Sequence, residues 1–137
     1  MTTDERRRTF DTDPLHKLLG ITLGECRPGF GQVFLDATDL TLRGIGGSLH
    51  GGLSAFLADT AMLQAIIPMI GAGEMPGGTA ELNISYLRPV IGPRITTEAT
   101  VIKKGRQIAV VEVSIMDGQG RLAARSRMNY AIRPTAA

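Results

Sequence analysis

The sequence is short of several things at once, and each shortage closes off a class of explanation. It has a single cysteine, Cys26, so no internal disulfide framework holds it, and a reducing compartment is expected. It has no tryptophan, and aromatic residues make up 4 % of the chain. The formal net charge is only +2. No dense Lys/Arg stripe with interleaved aromatics runs along it, so nucleic acid is not an expected partner. The opening MTTDERRRTF lacks the apolar stretch of a secretory signal. The longest apolar run is broken by Asp59, Gln64 and Pro68, which argues against a membrane span. With 2 histidines far apart and 1 cysteine, no metal site is expected, and His16 is expected at the surface. No glycine-rich phosphate loop is present, so no nucleotide cofactor is expected. These absences leave a soluble, cytoplasmic protein with no membrane partner.

What is there suits one domain. The 137 residues are 43 % hydrophobic and 20 % charged, enough to bury a real core. A single domain over 1–137 is expected, with 1–12 as a flexible N-terminus and 134–137 as a tail. DTDPLHKLLGI reads as a short helix, Asp13 its N-cap and Pro14 its first residue. GQVFLDAT alternates Val33, Leu35 and Ala37 against Gln32, Phe34 and Asp36, the period of a strand. A glycine-rich loop, TLRGIGGSLHGG, then feeds a long apolar helix from about Gly52 to Ile67. Pro68 ends it, and GAGEMPGG reads as a loop.

From there the period is two. Ala80, Leu82, Ile84 and Tyr86 share a face, as do Ile95, Thr97, Ala99 and Val101. Ala109, Val111, Val113 and Ile115 do the same, then Leu122, Ala124, Met128, Tyr130 and Ile132. The connections KKGR and DGQG are short and carry glycine, so the last three strands form an antiparallel meander. The class is α+β: one long helix and a set of antiparallel strands. A helix apolar on nearly every side must be buried on nearly every side. One curled sheet covers most of it, and what remains calls for a second copy, so a homo-oligomer is expected.

Within that helix Asp59 is a lone carboxylate, and burying one is costly unless it is partnered or used. Ahead of it, nine residues earlier, stands His50, followed by Gly51 and Gly52. LHGGLSAFLADTA, then TAELNISYLRPV, then KKGR, resembles the hotdog-fold acyl-CoA thioesterases, and within them the phenylacetate-pathway (PaaI-like) group. The resemblance runs from about Pro14 to Tyr130. It implies a curled antiparallel sheet around one central helix, hydrolysis of acyl-CoA thioesters, and a dimer or tetramer. Coenzyme A is then part of the substrate, and no other cofactor is implied.

The chemistry can be read beside the resemblance. At a helix start, backbone N–H groups lack partners and the dipole is positive. Glycine lets a carbonyl approach them closely, so the Gly51 N–H is the candidate oxyanion donor; otherwise the pair simply makes a tight turn. Asp59 serves either as general base on water or as nucleophile. Gly51 and Asp59 stand eight positions apart, about 12 Å along one helix. One thioester carbon cannot touch both within a chain, so if both act on the same carbon the partner subunit must supply Asp59, as the resemblance implies. The resemblance makes Thr79 a hydroxyl that positions the attacking water, unless it is only a β-former. His50 orients the loop or contacts the thioester.

The resemblance also places the coenzyme A groove along Gly52, Tyr86, Leu87, Arg88, Pro89 and Val90 and the hairpin Lys103, Lys104, Gly105 and Arg106. On charge alone that hairpin reads rather as a solvated tip. Ala55, Met62 and the GAGEMPGG loop are candidates to shape an acyl pocket for small aryl or medium-chain groups. One departure stands out. Six residues before His50, where related enzymes carry Asn or Gln, this chain has Gly44, with Arg43 or an ordered water as substitutes. Two other classes share the fold: a dehydratase, whose His-centred motif is not found, and a non-catalytic acyl-CoA binder, which would not need Asp59.

Overall fold

The structure is a computed structural model and describes residues 2–37 and 44–136. Helix α1, Thr3–Thr12, opens the chain. Thr2 and Glu5 make a reciprocal capping box, the Thr2 side chain accepting from the Glu5 N–H at 3.1 Å and the Glu5 carboxylate from the Thr2 N–H at 2.7 Å. Where a flexible segment over about 1–12 is expected, the structure has this capped helix. Phe10 is buried. Arg6 donates to the side chain and carbonyl of Gln64, and Arg7 to the carbonyls of Leu23 and Gly24. Helix α2, Pro14–Leu19, starts as expected on Asp13, whose carboxylate accepts from Leu15 and His16 N–H. His16 is half-buried rather than superficial: its ring packs 4.0 Å from that of Phe10, and Nδ1 lies 2.8 Å from the Phe10 carbonyl.

Strands β1, Ile21–Arg27, and β2, Phe30–Asp36, form a hairpin. Helix α3, Gly51–Ile66, follows. Then come β3, Glu74–Tyr86; β4, Arg94–Lys104; β5, Ile108–Met116; and β6, Leu122–Pro134. The six strands make one sheet, ordered β1-β2-β4-β5-β6-β3, every neighbouring pair antiparallel. The chain that was expected to trail from residue 134 still belongs to β6 at Pro134, and Thr135 donates to the Gly73 carbonyl at 2.9 Å.

The meander buries the face its period announced: Ile95, Thr97 and Ala99, then Ala109, Val111, Val113 and Ile115, then Ala124, Met128, Tyr130 and Ile132. Against this face lies α3, through Leu57, Ala58, Ala61, Met62, Ala65 and Ile66. Small residues permit that closeness. A Cβ on Gly31 of β2 would stand 2.6 Å from the Ala61 carbonyl oxygen, so only glycine lets helix and strand meet there. By length and composition the stretch Gly51–Met69 would pass for a membrane span. Here it is the core helix of the domain.

β3 departs from the sequence reading. It begins at Glu74, inside what reads as a loop, and runs through Pro76, Gly77 and Gly78. Proline removes a ladder donor, but an edge strand has a side that needs none. β3 is that edge: it pairs with β6 alone, and no other strand among the described residues pairs with its outer side.

Two carboxylates pin the connections. In the β5–β6 turn Asp117 accepts from the N–H groups of Arg121 and Gln119, and from Arg121 Nε at 2.9 Å. These bonds, the Arg121 N–H first, hold its carboxyl below the ordinary value of 3.8 against the opposing effect of burial. Glu74 is held below its ordinary 4.5, chiefly by its hydrogen bond from Lys104. A carboxyl depressed in the folded state stabilises it above the unfolded pKa and loses that contribution as pH falls through the folded pKa. Urea midpoints are therefore expected to hold level near neutrality and to drop below about pH 4.5, with a smaller drop in Asp117→Asn.

Candidate active site

The N-terminus of α3 is built to leave one donor open. His50 is the N-cap, and its Nδ1 accepts from the Gly52 N–H at 2.9 Å. With Nδ1 accepting, the ring proton sits on Nε2. The N–H groups of Leu53 and Ser54 both point to the His50 carbonyl. That leaves the Gly51 N–H, which takes no partner among the described residues, at the positive end of a 16-residue helix. His50 thus makes a loop-fixing bond, and Gly52 spends its own N–H on it.

This turn opens on a cleft of about 610 Å³, walled on one side by Gly44 and residues 48–52 and on the other by Tyr86, Leu87, Arg88, Pro89 and Val90. Two ties hold the walls together. The Tyr86 hydroxyl donates to the Gly51 carbonyl at 2.5 Å, and the Leu49 N–H to the Val90 carbonyl at 2.8 Å. Leu87 and Tyr86 remain more than half exposed, an apolar lip on the cleft.

Asp59 sits two turns along α3, half-buried, and its partner is Thr79: the Thr79 hydroxyl donates to Asp59 Oδ1 at 2.6 Å. No hydrogen bond to Oδ2 is made among the described residues. The cost of a carboxylate in an apolar helix is met in this way: the side chain leaves the core at the edge strand, where a hydroxyl meets one oxygen and the other stays available. Gly51 and Asp59 do lie on one unbroken helix, so the distance between them is that of eight helical residues, about 12 Å.

The structure does not bring the hairpin to the cleft within one chain. Glu74, at the start of β3, pairs with Pro134, and Tyr86, at its end, with Ala124. Ile108, next to the Lys103–Arg106 hairpin, pairs with Ala131, so the hairpin lies at the Glu74 end of β3. The 13 residues of β3 separate it from Tyr86, about 40 Å of strand. Nor are its cations equivalent. Lys104 is taken by Glu74, at 2.8 and 2.9 Å, whereas Lys103 and Arg106 are exposed; Gly105 closes the turn through a 2.9 Å bond from its N–H to Ile108.

Gly44 lines the cleft, where the resemblance places an amide side chain, and a Cβ there would stand 3.2 Å from the His50 Cα. Arg43 lies outside the described residues. Sequence reasoning missed the surroundings of Thr79. Tyr130, read only as a core residue, lies across from it on β6. Among the described residues no group of three His, Cys, Asp or Glu is placed to hold a metal ion.

An antiparallel sheet curled round a single long helix, with a glycine turn opening that helix, is the hotdog architecture. The family model described as the thioesterase superfamily matches residues 46–124, and the chain belongs to that family; it is a thioester hydrolase. A Saccharolobus solfataricus protein named as an esterase is 30 % identical over 114 residues, 83 % of this chain and 74 % of that one. Mouse acyl-coenzyme A thioesterase 13 is 35 % identical over 83 residues, 59 % of this chain and 58 % of its own. Among solved structures, thioesterase HI1161 from Haemophilus influenzae shares the fold over all of this chain and 94 % of its own, with a TM-score of 0.84 at 24 % identity. BH2602 from Bacillus halodurans, determined with CoA, has a TM-score of 0.77 at 27 % identity over 95 % of this chain and 82 % of its own.

Proposed function

We propose that the protein hydrolyses acyl-CoA thioesters of small aryl or short to medium acyl groups, in the manner of the PaaI-like group, at a site shared between two copies. The observation that carries this reading is the Gly51 N–H at the head of α3, without a partner among the described residues, on a residue that lines the cleft. A thioester carbonyl seated there gathers negative charge against that N–H and the helix dipole as it is attacked. Asp59 of the second copy supplies the other half. Thr79 holds Oδ1, so Oδ2 either takes a proton from the attacking water or attacks the carbonyl itself. In the first case water adds and coenzyme A leaves as the thiol. In the second a mixed anhydride forms, the CoA thiolate leaves, and water then releases the acid.

The outer edge of β3 supports the shared site. A long open edge is a template for pairing with another strand. If two β3 edges pair antiparallel about a two-fold axis, each chain's Glu74 end lies beside the other's Tyr86 end. The exposed Lys103 and Arg106 of one copy then approach the Tyr86–Val90 cleft of the other, and could meet the coenzyme's phosphates there. Release of free CoA from a panel of acyl-CoA esters, followed with a thiol reagent, tests the reading. Binding without release across the panel would favour the non-catalytic binder instead.

Gly44 favours a slow enzyme rather than a fast one, since it offers no side-chain hydrogen bond at the cleft wall. Gly44→Asn is expected to raise kcat more than it changes KM. Gly44→Ala is the control, because its Cβ presses on the His50 backbone at 3.2 Å. If the Ala variant folds normally and the Asn variant gains nothing, this position does not face the reacting carbonyl.

A further inference from the structure

The turn that opens α3 is made of two consecutive glycines, the residues least able to hold a backbone shape by themselves. Its peptide planes are nevertheless held at almost every end. A peptide unit is planar, its carbonyl and N–H pointing opposite ways, so fixing both ends fixes the plane. In the unit joining Gly51 to Gly52, the N–H donates to His50 Nδ1 at 2.9 Å and the carbonyl accepts from the Tyr86 hydroxyl at 2.5 Å. In the unit before it, the His50 carbonyl accepts from the N–H groups of Leu53 and Ser54 at 2.9 and 3.2 Å. The remaining end is the Gly51 N–H, the donor assigned above to the thioester oxygen.

Tyr86 stands apart in this set. The other bonds are made within the turn itself, by residues 50–54, whereas Tyr86 lies 35 residues from Gly51, at the end of β3. Across the ladder from it is Ala124, which is buried, and opposed residues of an antiparallel pair present their side chains to the same face. The Tyr86 ring is therefore on the α3 side of the sheet. A carbonyl oxygen has two lone pairs, so the bond from Tyr86 adds to the helix ladder without displacing it. At 52 % exposed, the ring has no burial that would favour tyrosine over phenylalanine. What distinguishes the two is the hydroxyl, and the hydroxyl is spent on Gly51.

We infer that Tyr86 is a positioning residue: by tying the Gly51 carbonyl to the end of β3, its hydroxyl fixes the direction in which the neighbouring Gly51 N–H is offered to the thioester carbonyl. Such a role differs from a contact with the coenzyme, which would act on binding and not on the chemical step. The inference rests on the Gly51 N–H acting as proposed above, and its test keeps the two apart. Tyr86→Phe keeps the ring and removes only the hydroxyl. It is expected to lower kcat on an acyl-CoA substrate about tenfold, because misplacing a donor by a fraction of an ångström is costly. KM is expected to stay within about twofold and the thermal midpoint to move little.

In a Gly51→Pro background Tyr86→Phe should have no further effect on kcat, because the donor it aligns is already gone. NMR order parameters at the Gly51 and Gly52 amides should stand near the rigid value of about 0.85 in the wild-type protein and fall in Tyr86→Phe. An unchanged kcat, a loss confined to KM, or losses that multiply with those of Gly51→Pro would overturn the inference. Should Tyr86→Phe fail to fold, the wild-type amides decide: rigid glycines support it, and order parameters below about 0.6 overturn it. Loss of activity in Gly51→Pro and Asp59→Asn but not in Tyr86→Phe sinks this inference alone. Wild-type turnover in Gly51→Pro sinks the reading of the site, and this inference with it.

Discussion

Gly51→Pro is expected to lower kcat on acyl-CoA substrates by on the order of 10²- to 10³-fold while the protein stays folded, the usual effect of removing one oxyanion donor. The substitution is unusually clean here. Gly51 is the first residue of α3, the position where proline is best tolerated because its missing N–H would have no intrahelical partner. The preceding residue must be extended, and His50 already has φ −55° and ψ 130°. The added Cβ meets only the Tyr86 side chain, at 3.3 Å from its hydroxyl, and Tyr86, 52 % exposed, has to shift by only a few tenths of an ångström while keeping its bond to the Gly51 carbonyl. Gly51→Ala adds the same Cβ but keeps the N–H, so it should retain most of the activity. Equal losses in the two variants would mean that bulk at the cleft, not the donor, is what matters, and the oxyanion assignment would fail. Circular dichroism and thermal midpoints of both variants separate loss of chemistry from loss of structure.

Asp59→Asn should cost still more, on the order of 10³-fold or beyond, whether the carboxylate acts as base or as nucleophile. The amide keeps the shape and can still accept from Thr79, so the fold should persist. The sharper result comes from mixing. Let one chain carry Asp59→Asn and the other Gly51→Pro, each nearly inactive alone. If a site takes Gly51 from one copy and Asp59 from the other, a hybrid dimer has one intact site and one doubly damaged site. Random reassortment of equal amounts makes half the dimers hybrids, and about a quarter of wild-type activity should return. If differently tagged chains co-purify and activity stays at the level of the parents, both groups act within one chain. The separation along α3 would then have to be bridged in some other way.

The parts of this molecule that were legible in the sequence are those where one physical signal acts alone. The meander strands alternate because one face is buried and the other wet, and the structure buries Ala109, Val111, Val113 and Ile115 as read. Asp13 and Pro14 mark a helix start for local reasons and mark it correctly. The His50–Gly51–Gly52 turn and Asp59 were visible as residues that an apolar helix has no other reason to carry. Two signals in competition were harder. Pro76, Gly77 and Gly78 spell a loop, and only their place at a sheet edge makes them a strand. Helix α1 has little apolar periodicity, with Phe10 its one buried residue, and its sign was the Thr2–Glu5 capping box. Lys104 read as a free cation because its partner, Glu74, is thirty residues away. Tyr130 occupies a core position by pattern, and nothing local tells that it lies across the ladder from Thr79.

The open edge of β3 has a kinetic corollary. A catalytic centre completed by a second copy exists only in the fraction of chains that have found one another, so turnover per chain becomes a function of the protein's own concentration. Diluted below the dissociation constant of the pair, such an enzyme would lose specific activity in proportion to the chains left single. A saturating substrate bound across both copies would draw them back together, since anything that binds the assembled form alone stabilises it. Progress curves begun from dilute enzyme would then show a lag that shortens as substrate or enzyme is raised. The outer row of backbone groups along β3 would in this way set the abundance at which the activity switches on.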